Sequence, residues 1–220
     1  MTSKVEESAE IHSPVDEMRR LLKENREGKR RGIYSVCSAN QLVLEGAIAQ
    51  AAHDRSALLI EATCNQVNQE GGYTGLTPAK FRDYVHSIAQ GMDFPVERLI
   101  LGGDHLGPNP WRTQSAAVAM EKACAMVSAY ASAGFSKIHL DASMACGDDP
   151  RVISNEQIAE RAARLCEVAE SATRNFSSKP VYVIGTEVPT PGGAREEMEN
   201  WGVPAANGQR DLYSFRALAA

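Results

Sequence analysis

The segment Ile100-Leu-Gly-Gly-Asp-His-Leu-Gly-Pro-Asn-Pro-Trp111 begins as an apolar strand and ends in a loop rich in glycine and proline. Asp104 and His105 stand where the strand gives way to the loop. A carboxylate and an imidazole at that position can form a catalytic or binding site only if other strands end beside them with polar groups. The interpretation of this segment therefore depends on the rest of the chain.

Outward from this segment, short apolar runs alternate with amphipathic stretches. Strands are predicted at 32–38, 57–63, 99–103, 137–143 and 180–187, and helices at 14–29, 41–53 and 113–133, with further helix starts at Thr77 and Ser154. The nearly continuous apolar run of the second strand is typical of a parallel strand covered on both faces. Strict alternation predicts a parallel α/β sheet, because each crossover helix returns the chain to the same edge.

A doubly wound sheet and a (β/α)8 barrel both fit this alternation. Several strands end in acidic or imidazole groups, namely Glu61, Asp104 with His105, Asp141 and Glu187. Site residues spread over successive strand ends are typical of a barrel, whereas a doubly wound sheet concentrates them at one switch point. The first strand is also not followed by G-x-G-x-x-G. We therefore predict a TIM (β/α)8 barrel fold, of which only about five βα units are present.

The chain divides into three segments of different character. Residues 1–13 are polar and are expected to be disordered, residues 14–193 carry the βα pattern of a partial TIM-barrel domain, and residues 194–220 are expected to be an irregular tail. We expect a truncated barrel, because the pattern stops after the fifth strand. An open sheet exposes two edges, so the chain alone is expected to be marginally stable.

The composition argues against several classes of protein. The net charge is −5 and no basic patch stands out, which argues against nucleic-acid binding. No run of about 18 apolar residues is present, which argues against a membrane span. Five cysteines without a C-x-x-C pair, and a polar N-terminus unlike a signal peptide, indicate a cytoplasmic protein with reduced thiols.

Asp104 and His105 are the strongest candidates for a functional site. They suit proton transfer beside a metal ligand or a substrate hydroxyl; the structural alternative is that they bond loop amides and a carbonyl. Asp141 lies near the end of the fourth strand and is a candidate on the same grounds. His139 shares its face of the strand, and we interpret it as a hydrogen-bonded interior residue.

Three further polar residues follow or end strands. Glu61 and Glu187 are candidate site carboxylates, and the alternative for each is a bond to loop amides or to a basic side chain. Asn65 is placed to bind sugar hydroxyls, and the alternative is a solvated loop amide. Trp111 is expected to pack the start of the next helix against the rim of the sheet rather than to cover a ligand.

Six motifs, in order, resemble those of a known family. They are Ser38-Ala-Asn-Gln-Leu-Val-Leu-Glu-Gly-Ala47, Ile60-Glu-Ala-Thr-Cys-Asn-Gln-Val-Asn-Gln69, Gly72-Tyr-Thr-Gly-Leu-Thr-Pro78, Leu101-Gly-Gly-Asp-His-Leu-Gly-Pro-Asn-Pro-Trp111, His139-Leu-Asp-Ala-Ser-Met144 and Gly185-Thr-Glu-Val-Pro189. Over residues 14–193 the chain resembles the GatZ/KbaZ family, the accessory subunits of the aldolase that cleaves D-tagatose 1,6-bisphosphate. This resemblance implies a TIM barrel in galactitol, N-acetylgalactosamine or tagatose catabolism.

The resemblance also implies partners and roles. The expected partner is a class II tagatose-bisphosphate aldolase subunit, whose activity and stability this non-catalytic subunit supports, with a sugar phosphate as ligand and an oligomeric assembly. By similarity to class II aldolases, Asp104 resembles the proton donor, His105 a metal ligand and Glu187 a carboxylate near the metal. Members of the family are longer than this chain, and further βα units close their barrel.

An alternative function is an enzyme in its own right, a metal-dependent sugar or sugar-phosphate aldolase or epimerase with zinc or manganese as its cofactor. A sugar kinase is disfavoured, because the chain lacks G-x-x-x-x-G-K-[ST]. The predicted roles are catalysis by Asp104 and Asp141, substrate binding by Glu61 and Asn65, and metal binding by His105 and Glu187.

Overall fold

The computed structural model describes residues 13–185. Within them, five strands alternate with helices. The strands are β1 (Ser35–Cys37), β2 (Leu58–Thr63), β3 (Leu99–Leu106), β4 (Lys137–Leu140) and β5 (Val181–Ile184). The helices are α1 (Pro14–Arg26), α2 (Gln41–Asp54), α3 (Pro78–Gly91), α4 (Ala116–Ser132) and α5 (Asn155–Ala172), with short 3-10 helices at Gly72–Thr74, Val96–Arg98 and Asn109–Trp111.

The five strands form one parallel sheet in the order β1-β2-β3-β4-β5. Each strand is paired with its neighbours in the sequence, so this part of the chain has no switch point of the kind that defines a doubly wound sheet. Successive parallel strands joined by helices are the repeating units of a (β/α)8 barrel. The predicted α/β class is confirmed, and the sheet has the order expected for five consecutive strands of such a barrel.

The two faces of the sheet are covered differently, because side chains alternate along each strand. One face carries Leu58, Ile60 and Ala62 of β2 and packs in the main core with residues of α2 to α5. The other face carries Leu59 and Ile100 near the strand starts, where α1 covers them. We call this second face the inner face. The half of the inner face that lies toward the strand ends carries polar side chains.

Each of the five described helices begins at a residue whose side-chain oxygen accepts a backbone N–H of the first turn. These N-caps are Ser13, Asn40, Thr77, Ser115 and Ser154. Gln157 completes a capping box with Ser154 at the start of α5. The helix starts are therefore encoded locally: four of them agree with the prediction, and α4 begins at Ala116 rather than at residue 113.

The strands differ from the prediction at several ends: β1 is shorter than predicted, and the ends of β3 and β4 differ in a way that matters for the polar side chains. β3 continues to Leu106 rather than ending at Gly103, and β4 ends at Leu140 rather than at Ser143. The cause is an irregularity in the pairing of β3 with β4: the register shifts between Gly103 and Leu106, and Leu106 then pairs with Leu140. This bulge decides where the polar side chains of β3 point.

The loop at 64–76 is folded around the buried side chain of Asn68. Its amide nitrogen donates to the carbonyl of Cys64 at 3.0 Å. Its amide oxygen accepts the backbone N–H groups of Glu70 at 2.9 Å and Gly72 at 3.0 Å. Tyr130 of α4 donates its hydroxyl to the carbonyl of Val67 at 2.9 Å. The loop is thus an ordered part of the fold that links β2 to α4.

Replacing Asn68 with alanine is expected to lower the free energy of unfolding by about 1–3 kcal/mol, because three backbone groups of the loop, including the buried carbonyl of Cys64, lose their partner. Urea denaturation and the rate of proteolysis within the loop would measure this. Asn65→Ala is the matched control, since Asn65 is an exposed amide in the same loop. Its effect is expected to stay within about 0.5 kcal/mol. Equal effects of the two substitutions would contradict the structural role given to Asn68.

The structure also bears on two expectations from composition. Among residues 13–185, no helix has both the length and the apolar character needed to cross a bilayer. All five cysteines lie in this part of the chain, and all five are free thiols.

Candidate functional site

A polar cluster occupies the inner face of the sheet near the ends of β3 and β4. It consists of Asp104 and His105 from β3, His139 from β4, and Asp141 directly after β4. We call these four residues the Asp–His cluster. They lie at the strand ends, which is where a parallel sheet of this type places its functional groups.

The bulge in β3 brings two adjacent residues to the same site. In a regular strand, Asp104 and His105 would point to opposite faces. Here His105 has a φ of 48°, in the left-handed region, and its imidazole lies beside that of His139 with 4.2 Å between ring centroids. Left-handed backbone is uncommon for residues other than glycine and is found disproportionately at functional sites.

Two carboxylate–imidazole hydrogen bonds link the ends of β3 and β4. Asp104 Oδ1 lies 3.0 Å from His139 Nδ1, and Asp141 Oδ2 lies 3.0 Å from His105 Nδ1. Each strand therefore supplies one carboxylate and one imidazole, and each carboxylate bonds the imidazole of the other strand. A carboxylate that bonds one ring nitrogen fixes the orientation of the imidazole toward whatever the other nitrogen contacts.

The pKa of Asp104 is lowered relative to an ordinary aspartate. Burial alone would raise it, but the hydrogen bond with His139 and the nearby charges of Lys137 and His105 outweigh burial. Asp104 is therefore a carboxylate at neutral pH. That state suits an acceptor or a metal ligand better than the proton donor implied by the resemblance.

Asp141 is held in the same state by different partners. Burial again acts to raise its pKa, while hydrogen bonds from His105 and Ser143 lower it to below the usual value. The hydroxyl of Ser143 donates to Asp141 Oδ1 at 2.6 Å, and its backbone N–H donates to the same atom at 3.0 Å. With one oxygen bonded by Ser143 and the other by His105, Asp141 is a rigid support for that imidazole.

A buried ion pair lies one layer below the cluster. Lys137, at the start of β4, bonds the carboxylate of Glu61 on β2, and Ser35 on β1 donates its hydroxyl to the same carboxylate. The pair reaches across β3 at Gly102, where an added Cβ would lie 2.5 Å from Glu61 Oε1. Lys137 Nζ also lies 3.9 Å from Asp104 Oδ1, so the pair is connected to the cluster.

Cys37 borders the cluster from the end of β1. Its sulfur lies 3.4 Å from Gln66 Oε1 and 3.9 Å from Asp104 Oδ2. Burial, followed by the charges of Asp104 and Glu61, raises the pKa of Cys37 to about 12. The thiol is therefore protonated at neutral pH and acts as a weak hydrogen-bond donor, not as a nucleophile.

The structure places the predicted site residues at different depths. It brings together Asp104, His105 and Asp141. Glu61 lies two residues before the end of β2 and is buried in its ion pair, and Asn65 is exposed in the following loop. Glu187 lies outside the described residues. The roles given to all six residues stay predictions.

Two residues contribute more to this site than the sequence pattern alone predicts. His139 is hydrogen-bonded and interior, as predicted, and it also lies against His105. Lys137, for which the sequence predicts no site role, pairs with Glu61 beneath the cluster. A signal for both was present, because Lys137, His139 and Asp141 alternate with Ile138 and Leu140 and so share one face.

One group of side chains is arranged for a metal ion. Asp104, His105 and His139 each offer one ligand atom, and these atoms all lie within 4.8 Å of one another. Two imidazoles and one carboxylate are a donor set used for zinc and other divalent transition metals.

Trp111 has a packing role at the rim. It is buried, its indole N–H donates to Glu70 Oε2 at 3.1 Å, and Lys122 of α4 pairs with the same carboxylate at 2.8 Å. The contacts join the loops after β2 and β3 to α4, as expected for packing rather than for covering a ligand.

Comparisons with known proteins identify a family and individual relatives that are similar to the chain. Residues 18–214 match the family described as D-tagatose-1,6-bisphosphate aldolase subunit GatZ/KbaZ-like. The proteins called D-tagatose-1,6-bisphosphate aldolase subunit GatZ from Klebsiella pneumoniae subsp. pneumoniae and from Salmonella newport are each 55% identical to it over 177 residues. The alignment covers 80% of this chain and 42% of each relative, so the chain spans less than half of their length.

A solved structure shares the fold. The crystal structure of a probable tagatose 6 phosphate kinase from Sinorhizobium meliloti 1021 superposes with a TM-score of 0.67 at 55% sequence identity. The match covers 71% of this chain and 39% of that one. The family match over residues 18–214, together with the 55% identity to the two relatives, shows that the chain belongs to the GatZ/KbaZ-like family.

Proposed function

We propose that the chain acts as a GatZ-type, non-catalytic subunit of a D-tagatose-1,6-bisphosphate aldolase. In this role it supports the activity and stability of a separate class II aldolase subunit in galactitol, N-acetylgalactosamine or tagatose catabolism in the cytoplasm. The observation that carries the proposal is the 55% identity, over 177 residues, to two subunits of that name. Because the chain spans 42% of those relatives, the activity, substrate and partner of the whole protein are part of the proposal.

The chemistry of the inner face supports binding of the hydroxyl groups of a sugar. Asp104 and Asp141 are carboxylates at neutral pH and accept hydrogen bonds, as sugar hydroxyls require. The imidazoles of His105 and His139 add nitrogen atoms that donate or accept according to their tautomer. A polyol with several hydroxyl groups fits this mixture better than an apolar ligand does.

The chain and a class II tagatose-bisphosphate aldolase subunit, produced together with an affinity tag on one of them, are expected to purify together. The complex should cleave D-tagatose 1,6-bisphosphate faster, and lose activity more slowly on warming, than the aldolase subunit alone. The chain alone should not cleave it. The measurements are size-exclusion chromatography and the initial rate of cleavage.

The Klebsiella pneumoniae relative, tested in parallel, is the positive control for a competent aldolase subunit. If that relative binds and activates the aldolase and the chain does neither, the proposal fails for this chain. If the chain cleaves the sugar phosphate by itself, it is an enzyme in its own right and the non-catalytic role is wrong.

A further inference from the structure

We propose that Asp104, His105 and His139 bind one divalent transition-metal ion through two imidazole nitrogens and one carboxylate oxygen, and that Asp141 orients His105 for this role. The supporting-subunit function does not require a metal, so this inference goes beyond it. The chemical class is an ion that accepts mixed nitrogen and oxygen ligands, with Zn²⁺ as its representative.

The spacing of the ligand atoms fits a single ion. Two ligands at ~2.0–2.1 Å from a tetrahedral zinc ion lie about 3.3 Å apart. Asp104 Oδ1 lies 3.0 Å from His139 Nδ1 and 3.9 Å from His105 Nε2, distances that bracket this value. All three ligand atoms lie within 4.8 Å of one another, so small side-chain rotations would place them around one ion.

His105 carries the support that metal-bound histidines usually have. A ligating imidazole commonly bonds a carboxylate through its other ring nitrogen, which fixes the tautomer and the ring orientation. His105 Nδ1 lies 3.0 Å from Asp141 Oδ2, while Nε2 faces Asp104. Asp141 is itself held by two bonds from Ser143, so the arrangement is built before any ligand arrives.

His139 is not fully satisfied by the described residues. It is 8% exposed, and its Nε2 atom is buried without a hydrogen-bond partner among residues 13–185. A buried polar atom of this kind costs about 1–3 kcal/mol if nothing compensates for it. Its other nitrogen, Nδ1, lies 3.0 Å from Asp104 Oδ1 and is the atom that would coordinate the ion, so the proposed coordination does not depend on the buried Nε2.

The formal charges of the site also favour a dication. With neutral imidazoles, the side chains of Asp104, Asp141, Glu61 and Lys137 contribute three negative charges and one positive charge, which leaves −2 among these four. The same negative charge could instead be neutralised by protonation of both imidazoles, each of which would then pair with the aspartate it contacts. The two arrangements can be distinguished, because only neutral imidazoles bind a metal ion.

The test uses the 220-residue chain after removal of metals with a chelator and dialysis. Titration calorimetry with Zn²⁺ is expected to show one ion per chain, and Co²⁺ is expected to give the visible absorption bands of a nitrogen- and oxygen-ligated site. His105→Ala and His139→Ala should each weaken Zn²⁺ binding by about 100-fold or more, and Asp141→Asn by about 10–100-fold. His53→Ala is the matched control, because His53 is an exposed histidine whose side chain is 83% accessible.

Circular dichroism of each metal-free variant separates loss of folding from loss of ligands. If His139→Ala does not fold, His139→Gln and Asp104→Asn take its place, since both keep the size and polarity of the side chain. The inference is overturned if the folded parent chain binds no Zn²⁺, or if folded cluster variants bind it as tightly as the parent. No aldolase subunit is present, so failure of the proposed function would leave this result unaffected.

Discussion

Gly107→Ala is expected to lower the free energy of unfolding by about 3 kcal/mol or more, the upper part of the range for overpacked sites. A Cβ added at Gly107 would lie 1.6 Å from the carbonyl oxygen of Asp141, a backbone atom that cannot rotate away. The two strands are tied together at this point, because the N–H of Asp141 donates to the carbonyl of Leu106 at 3.0 Å. The alanine therefore forces the end of β3 away from β4. Thermal and urea denaturation would measure the loss.

Gly46→Ala provides the control for this prediction. Gly46 lies inside α2 and is exposed, and an added Cβ would meet no atom within 4 Å. Alanine should stabilise the helix there by roughly 0.5–1 kcal/mol. If the Gly107→Ala variant had the same melting temperature as the parent chain, the close approach of β3 and β4 would be wrong. The position of Asp141 beside His105 would then be wrong as well.

Lys137→Met is expected to cost about 3–5 kcal/mol, because it leaves the carboxylate of Glu61 buried without its cation. Glu61 is 4% exposed, and the side chain of Lys137 is 14% exposed. The double variant Glu61→Leu with Lys137→Met should be more stable than Lys137→Met alone, since it removes both charges together. Urea denaturation of Lys137→Met, Glu61→Leu, the double variant and the parent chain gives the four free energies of a double-mutant cycle.

Arg20→Met is the surface control for this ion pair. Arg20 pairs with Glu17 at 2.6 Å and with Glu24 at 3.1 Å on α1, but its side chain is 44% exposed. Exposed pairs contribute only about 0–1 kcal/mol, so its loss should be small. If Lys137→Met were equally mild, water would reach Glu61, and the inner face would be open rather than sealed beneath the Asp–His cluster.

Both predictions concern the support of the site rather than its ligands. Gly107 allows β4 to approach β3 closely enough for Asp141 to bond His105, and Gly102 allows Lys137 to reach Glu61 across the same strand. β3 and the residue directly after it thus contribute glycines as well as polar groups to the site. Substitutions at these glycines are expected to disturb the cluster without touching any of its polar atoms.

The parallel α/β fold and the order of its elements were predictable from the sequence alone. They follow from local signals: helix caps such as Ser154, and the apolar period of each segment. Asp104, His105 and Asp141 were identified for the same reason, since each stands at or near the end of an apolar run.

Only the tertiary structure decided how those residues meet. The alternation of side chains along a strand separates Asp104 from His105, and a bulge stabilised by the pairing of Leu106 with Leu140 brings them together. The partnership of Glu61 with Lys137 likewise depends on a glycine in the strand between them. Such contacts join residues 35 to 76 positions apart, and their energy depends on the register of neighbouring strands, which no local pattern encodes.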